Sequence, residues 1–241
     1  AGVGNCASAL LQGLHYYRQP HARRDGYRSA GLLHPVVGRY APADIKVVAA
    51  FDVDARKVGK PLEAACLSDP NCTTQFLKRF PRFGVRVCMG PVLDGVAAHM
   101  HRYPPSETFV VAKARPVNVA KVLKASGAEI LLNYLPVGSQ RATEAYAQAC
   151  LDAGVGLINC IPVFIASNPR WAARFAKRGR PIIGDDVKGQ VGATILHRAL
   201  ARLFMDRGAV IDRTYQLNVG GNTDFLNMLN RDRLKTKKIS K

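Results

Sequence analysis

Short apolar runs alternate with amphipathic ones along most of the chain. Residues 44–52 read as a buried parallel strand that ends in an acid, Asp52. Residues 85–89, 129–134, 155–160 and 181–184 read as four more short strands. Helical patterns fall between them, at 10–17, 56–65, 116–126 and around Trp171. The clearest unit is the strand 129–134, the turn Leu135-Pro136-Val137-Gly138, and a helix with Ser139 as its N-cap. In that helix Ala142, Ala145, Tyr146, Ala149 and Cys150 share one face, and Gly154 ends it. Strands spaced by helices in this way predict βα units and a parallel sheet.

The rhythm changes after Gly184. A longer helix is predicted over about 188–207, with Leu196, Ala199, Leu200, Leu203 and Phe204 on its apolar face. A strand over 210–219 then leads into Gly220-Gly221-Asn222. The expected boundary lies near Asp186, giving a Rossmann-like domain at 1–186 and a partial catalytic and assembly domain at 187–241. The expected fold is α/β: a Rossmann-type doubly wound parallel sheet with its first strand missing, followed by part of an α+β domain.

That expectation about the first strand comes from the opening residues. Ala1-Gly2-Val3-Gly4-Asn5-Cys6-Ala7 is a G-x-G-x-x-A turn with no strand before it. Gly2 permits the tight turn, Gly4 lets backbone approach a pyrophosphate, and Ala7 lets the helix lie close on the sheet. Asp52, or Asp54 two residues on, can accept from adenosine ribose hydroxyls, and an acid there favours NAD over NADP. The excursion at 21–43 accounts for the long spacing between loop and acid. A strand-terminating role for Asp52 is the plainer alternative.

Three other clusters carry candidate chemistry. Gly184-Asp185-Asp186-Val187-Lys188 follows a predicted strand, at the sheet edge where ligands bind; a solvated helix start is the competing reading. Asn218-Val219-Gly220-Gly221-Asn222-Thr223-Asp224 is a polar turn suited to hydroxyls, or an ordinary Gly/Asn turn. Lys237 and Lys241 lie four apart and share a face on a helix, although such runs are usually solvated tails.

Composition adds limits. The 241 residues are 48% hydrophobic and 22% charged, which is globular. No apolar run reaches the roughly 18 residues of a membrane span. The six cysteines form no C-x-x-C and read as reduced thiols of a cytoplasmic protein. A net charge of +18 raises a polyanion partner. No aromatic-interleaved basic stripe, helix-turn-helix or zinc-finger spacing accompanies it, so nucleic acid binding is not the expected function. His99 and His101 lack further ligands at metal spacing, so a metal site stays undefined.

Seven ordered motifs together resemble the inositol-3-phosphate synthase family in its actinobacterial form. They are Gly-Val-Gly-Asn-Cys-Ala-Ser (2–8), Phe-Asp-Val-Asp (51–54), Tyr-Leu-Pro-Val-Gly-Ser (134–139), Gly-Asp-Asp-Val-Lys (184–188), Gln-Val-Gly-Ala-Thr (190–194), Asn-Val-Gly-Gly-Asn-Thr-Asp (218–224) and Lys-Lys-Ile-Ser-Lys (237–241). The resemblance implies conversion of D-glucose 6-phosphate to 1D-myo-inositol 3-phosphate with NAD that is regenerated in each turnover, in a homotetramer. A divalent or monovalent cation is a further possible requirement. The resemblance implies catalytic roles for Lys237, Lys241, Asp186 and Asp224. It assigns substrate contacts to Asn218, Asn222 and Lys188. It assigns NAD contacts to Gly2, Gly4, Asn5, Cys6, Ala7, Asp52, Asp54, Asp185 and the turn Leu135, Pro136, Val137, Gly138 and Ser139. One departure is Gly189, where family members carry Ser. The family also extends beyond both ends of this sequence, so the chain alone is expected to be inactive or nearly so. A catalytically dead NAD-binding or assembly subunit of the same fold is the alternative.

Overall fold

A computed structural model describes residues 1–19, 31–189, 191–220 and 222–240. Five short strands form two parallel sheets. In the first, β1 (Ala50–Asp52) pairs with β2 (Val87–Met89), with Phe51 opposite Cys88. In the second, β3 (Ile130–Asn133), β4 (Gly156–Asn159) and β5 (Ile182–Ile183) lie side by side in that order. The opening residues join the two sheets. The Ala1 amine donates to the Leu132 carbonyl, Tyr134 N–H donates to Ala1 O, and Gly2 N–H donates to Phe51 O. Read across, the order is β2, β1, residues 1–2, β3, β4, β5, which is the doubly wound order. The ladders between these five strands are parallel because helices make the crossovers.

The helices occupy the connections that this order requires. They are α1 (Asn5–Tyr16), α2 (Leu62–Ala65), α3 (Val119–Ala125), α4 (Gln140–Ala153) and α5 (Pro169–Lys177). The main core packs Phe51, Leu123, Leu131, Tyr146, Cys150, Val155, Leu157 and Phe175 between sheet and helices. Phe51 and Tyr146 meet edge to face, with centroids 5.9 Å apart. A smaller cluster of Val3, Leu11, Ala50, Leu62, Ala65 and Val87 lies under α1 and α2. Asn118 caps α3 by accepting from Lys121 N–H, and Gly154 ends α4 in the left-handed conformation.

Three predicted elements differ. The strand predicted over 44–52 forms ladder pairs only at Ala50–Asp52, since its neighbours are the three residues of β2 and the two opening residues. The short helix expected within 56–65 is present as α2, which begins at Leu62 after Pro61. The strand predicted over 210–219 does not form. Its residues have no neighbouring strand among the described residues, and Val210, Leu217 and Val219 are 90%, 89% and 96% exposed. The later helix, α6 (Ala193–Asp206), starts after Gly192 rather than at 188. None of its residues is buried, so Leu196, Leu200, Leu203 and Phe204 present an apolar face to solvent. The chain then returns to the sheet's C-terminal edge through α7 (Thr223–Asn227), a 3-10 turn (Arg231–Leu234) and α8 (Lys235–Ser240).

Candidate functional site

A cavity of about 550 Å³ opens at the C-terminal edge of the strands, where α/β sheets bind ligands. Its walls come from the glycine loop, the ends of β1, β3 and β4, the segment 186–189, α7 and α8. The glycine loop is shaped by close packing. Gly2 has φ of +83°, and a Cβ there would lie 2.6 Å from Tyr134 O. A Cβ on Gly4 would meet nothing within 4 Å, so the space beside it is open. Gly4 immediately precedes α1, whose first-turn N–H groups lack helical partners. No acid stands in that first turn to compete with an anion.

Asp52 reaches the cavity wall but is already engaged. Its Oδ2 accepts from Val3 N–H at 2.7 Å, and its Oδ1 accepts from Val53 and Asp54 N–H. A carboxylate offers about four lone-pair sites, so capacity for a ribose hydroxyl remains. Asp54 is a correction to the sequence reading. It is fully buried and locked to Arg56 at 2.5 Å, and it accepts from Val110 N–H. Burial alone would raise the Asp54 carboxyl. The Arg56 hydrogen bonds and the Val110 N–H outweigh burial and hold it below the ordinary carboxylate range.

Asp185 is a second correction. Its carboxylate accepts from Asn159 Nδ2, from Ile165, Ala166 and Ser167 N–H, and from the Ser167 hydroxyl. It is a buttress rather than a cavity group, because its oxygens are occupied by donors of its own chain. Asp186 and Lys188 do line the cavity, and Asp186 has φ of +63°. Asp186 N–H donates to Ile161 O, which holds that turn against the end of β4. Asn133 and Asn159, the last residues of β3 and β4, continue the buttress. Asn133 Nδ2 donates to Asn159 Oδ1 at 2.8 Å and to Thr143 Oγ1, and Asn159 Nδ2 donates to Asp185. Thr143 in turn donates to Ser139 O. One buried polar chain thus ties the 135–139 turn to the 184–188 turn.

Leu135, Pro136 and Val137 face the cavity, whereas Gly138 and Ser139 lie outside its walls. Ser139 sits at the N-cap position of α4 but makes no side-chain cap. Its hydroxyl donates to Pro136 O instead. Asp94 supplies the cap from a distant loop, accepting from Arg141 and Ala142 N–H at 2.8 and 2.9 Å. Arg233 staples the C-terminal segment to the same turn. It donates to Val137 O, Asp94 O and Ser139 Oγ. Burial lowers its guanidinium from the ordinary value.

Asp224 lines the cavity and accepts from Val137 N–H and Asn227 Nδ2. Asn222 also borders it while capping α7 through Phe225 N–H. Lys237 reaches the cavity from α8, with Nζ 3.2 Å from Met228 Sδ. Asn5 and Cys6 are wall residues. Asn5 is held by Cys72, and the Cys6 thiol is raised by burial and then by Asp224. Ala7 is not on the wall. Asn218 lies on the exposed stretch and receives a hydrogen bond from Gln216, away from the cavity. Lys241 lies outside the described residues. No group of three or more His, Cys, Asp or Glu is placed to hold a metal among the described residues. No described helix is long and apolar enough to cross a membrane.

The sequence reading missed Lys57, Asp94, Asn227 and Arg233. Nothing marked Asp94, a lone acid in a loop, or distinguished Arg233 within a basic run. Asn133 and Asn159 did carry a signal, an amide closing each of two apolar strands.

The family model described as myo-inositol-1-phosphate synthase matches residues 192–241. Inositol-3-phosphate synthase of Mycolicibacterium smegmatis is 51% identical over 240 residues, covering all of this chain. That of Corynebacterium glutamicum is 50% identical over 241 residues. The chain spans about 64% of the length of these relatives. Among solved structures, Ari2 superposes with a TM-score of 0.77 at 36% identity, over 96% of this chain and 66% of its own. A myo-inositol-1-phosphate synthase-related protein of Thermotoga maritima shares the fold, with a TM-score of 0.66 at 22% identity, over 98% of this chain and 65% of its own. Half-identity along the whole length, with a family match over the segment that carries Lys237, makes the chain similar throughout to inositol-3-phosphate synthases.

Proposed function

We propose that this chain carries the dinucleotide site and part of the substrate site of an inositol-3-phosphate synthase. Such an enzyme converts D-glucose 6-phosphate to 1D-myo-inositol 3-phosphate by oxidation, enolisation, intramolecular aldol closure and reduction. The supporting observation is convergence: the glycine loop, Asp52, Asp186, Lys188, Asn222, Asp224 and Lys237 border one cavity.

NAD, when bound, accepts a hydride and returns it. The open space beside Gly4, the acid-free start of α1 and the wall position of Asp52 suit its pyrophosphate and ribose. Lys237 presents an ammonium to the cavity, where it would stabilise negative charge developing on a carbonyl oxygen during enolisation and ring closure. Lys188 adds a second cation, suited to the sugar phosphate. Asn222 and Asp224 offer an amide and a carboxylate to sugar hydroxyls, and Asp186, on the same wall, is a proton-handling group. In this proposal residues 1–186 form the cofactor domain, and residues 187–241 contribute catalytic and assembly surfaces.

The test is calorimetric titration with NAD, followed by glucose 6-phosphate. NAD should bind, little or no inositol phosphate should form from glucose 6-phosphate on this chain alone, and turnover should appear once the further segment present in the longer relatives is supplied. Absence of NAD binding overturns the proposal. The exposed apolar face of α6 favours a second reading, an assembly subunit that binds NAD without turnover. NAD binding without turnover, restored by no added segment, would select it.

A further inference from the structure

We infer that Lys57 is a latent anion subsite of the cavity, masked by Asp52, and that this pair decides between a plain and a 2′-phosphorylated adenosine ribose. The inference rests on the dinucleotide reading above and asks more of it.

Lys57 is 3% exposed, yet it borders the cavity beside Asp52. Its Nζ lies 3.9 Å from Asp52 Oδ2, an ion-pair distance and too long for a hydrogen bond. That oxygen is already taken at 2.7 Å by Val3 N–H. An ammonium carries three donors, and burying one is costly unless an anion stands beside it. Asp52 supplies that charge without supplying a close acceptor.

The neighbouring cation cannot play this part. Arg56 donates to Asp54 Oδ1 and Oδ2 and to the carbonyls of Pro105 and Thr108, and it is not on the cavity wall. Of the two adjacent basic residues, Lys57 is the one on the cavity wall beside Asp52. Its backbone is fixed as well, since its N–H donates to Asp54 O at 2.9 Å.

The charges then set the preference. With Asp52 ionised, the corner is close to neutral, a ribose diol can donate to the carboxylate, and a 2′-phosphate meets repulsion. Without the Asp52 charge, Lys57 is a buried cation facing the cavity, and a phosphate on the ribose completes it.

The experiment is calorimetric titration of the chain and its variants with NAD, NADP, 2′,5′-ADP and 5′-ADP. Asp52→Asn and Asp52→Ser, each checked for folding by near-ultraviolet circular dichroism, should gain NADP affinity on the order of tenfold, the scale of one charge-assisted contact. The same variants should gain for 2′,5′-ADP and not for 5′-ADP. Adding Lys57→Gln to either should abolish the gain. If wild type binds NAD but neither Asp52 variant gains NADP, the subsite is refuted while the dinucleotide reading stands. A gain that survives Lys57→Gln, or one equal for both small nucleotides, refutes it too. If wild type does not bind NAD, both ideas fall together.

Discussion

Removing the Asp94 carboxylate should uncap a helix whose own cap residue does not cap it. Asp94 accepts from the N–H groups of Arg141 and Ala142, the second and third residues of α4, while Ser139 turns its hydroxyl back to Pro136 O. In Asp94→Ala those two first-turn donors lose their acceptor. An N-cap deletion costs about 1 kcal/mol, with a range of roughly 0.5–2. Loss of a negative charge at the positive end of the helix adds about 0.3–1 kcal/mol. The Arg141 bond is exposed, so water replaces part of it, which keeps the sum near 2 kcal/mol rather than higher. Arg233 is not orphaned, because it bonds the Asp94 backbone carbonyl, which survives the substitution. Asp94→Asn retains one acceptor and loses the charge, so about 1 kcal/mol is expected. Urea unfolding followed by circular dichroism measures both. With m of about 2–3 kcal/mol/M, Asp94→Ala should lower the midpoint by roughly 0.7–1 M and Asp94→Asn by about half that. If both midpoints stay within the scatter of wild type, the cap assignment is wrong. A larger loss in Asn than in Ala would also refute it.

Other outcomes follow from the same packing. Gly138 has φ of +81°, and a Cβ there would lie 2.6 Å from Arg233 Cβ, so Gly138→Ala should cost about 1–3 kcal/mol by overpacking. It should also loosen the C-terminal segment, seen as faster tryptic cleavage after Lys235, Lys237 and Lys238 at unchanged cleavage elsewhere. Asp54 has a folded-state pKa below its unfolded one, so its contribution is present above the unfolded carboxylate range and lost as pH falls through the folded value. Asp54→Asn should therefore be less stable than wild type at neutral pH, with the gap narrowing in acid; thermal melts across that range check it. Burial pushes the Cys66 thiol up to about 11 and the Cys150 thiol up to about 12. Both should resist iodoacetamide in the native protein at mildly alkaline pH, while exposed Cys72 is alkylated, as read by peptide mass spectrometry.

Much of the parallel-sheet region was legible in the sequence because its strands are apolar runs and its helices have one apolar face. Tyr146 and Cys150 fall inward where the period places them. The strand over 210–219 was not legible in the same way. Alternating apolar residues state a preference for a ladder, but a ladder also needs a neighbour, and none of the described residues supplies one. The site divided along a similar line. Motif residues that form walls, such as Gly4, Asp186 and Asp224, were visible as types at a strand end. Asp54 and Asp185 had the same types and nearly the same positions, yet they serve Arg56 and the 165–167 backbone. An offset of one or two residues turns an acid from the cavity to the frame, and spacing alone does not resolve that offset. The contributions of Asp94 and Arg233 are pairings across 47 residues or more, which no local pattern encodes.

The amide chain through Asn133 and Asn159 has a direction. Its hydrogens run from β3 to β4 and end on the Asp185 carboxylate, so the oxygen of Asn159 must face Asn133 and its nitrogen must face Asp185. Polarity, as well as size, therefore decides what can stand there. An aspartate of the same shape would set two carboxylates against each other, and a leucine would strand both neighbours. The two loops that flank the cavity are registered to one another before any ligand arrives, so a ligand meets a cleft of fixed width and loses less in ordering it.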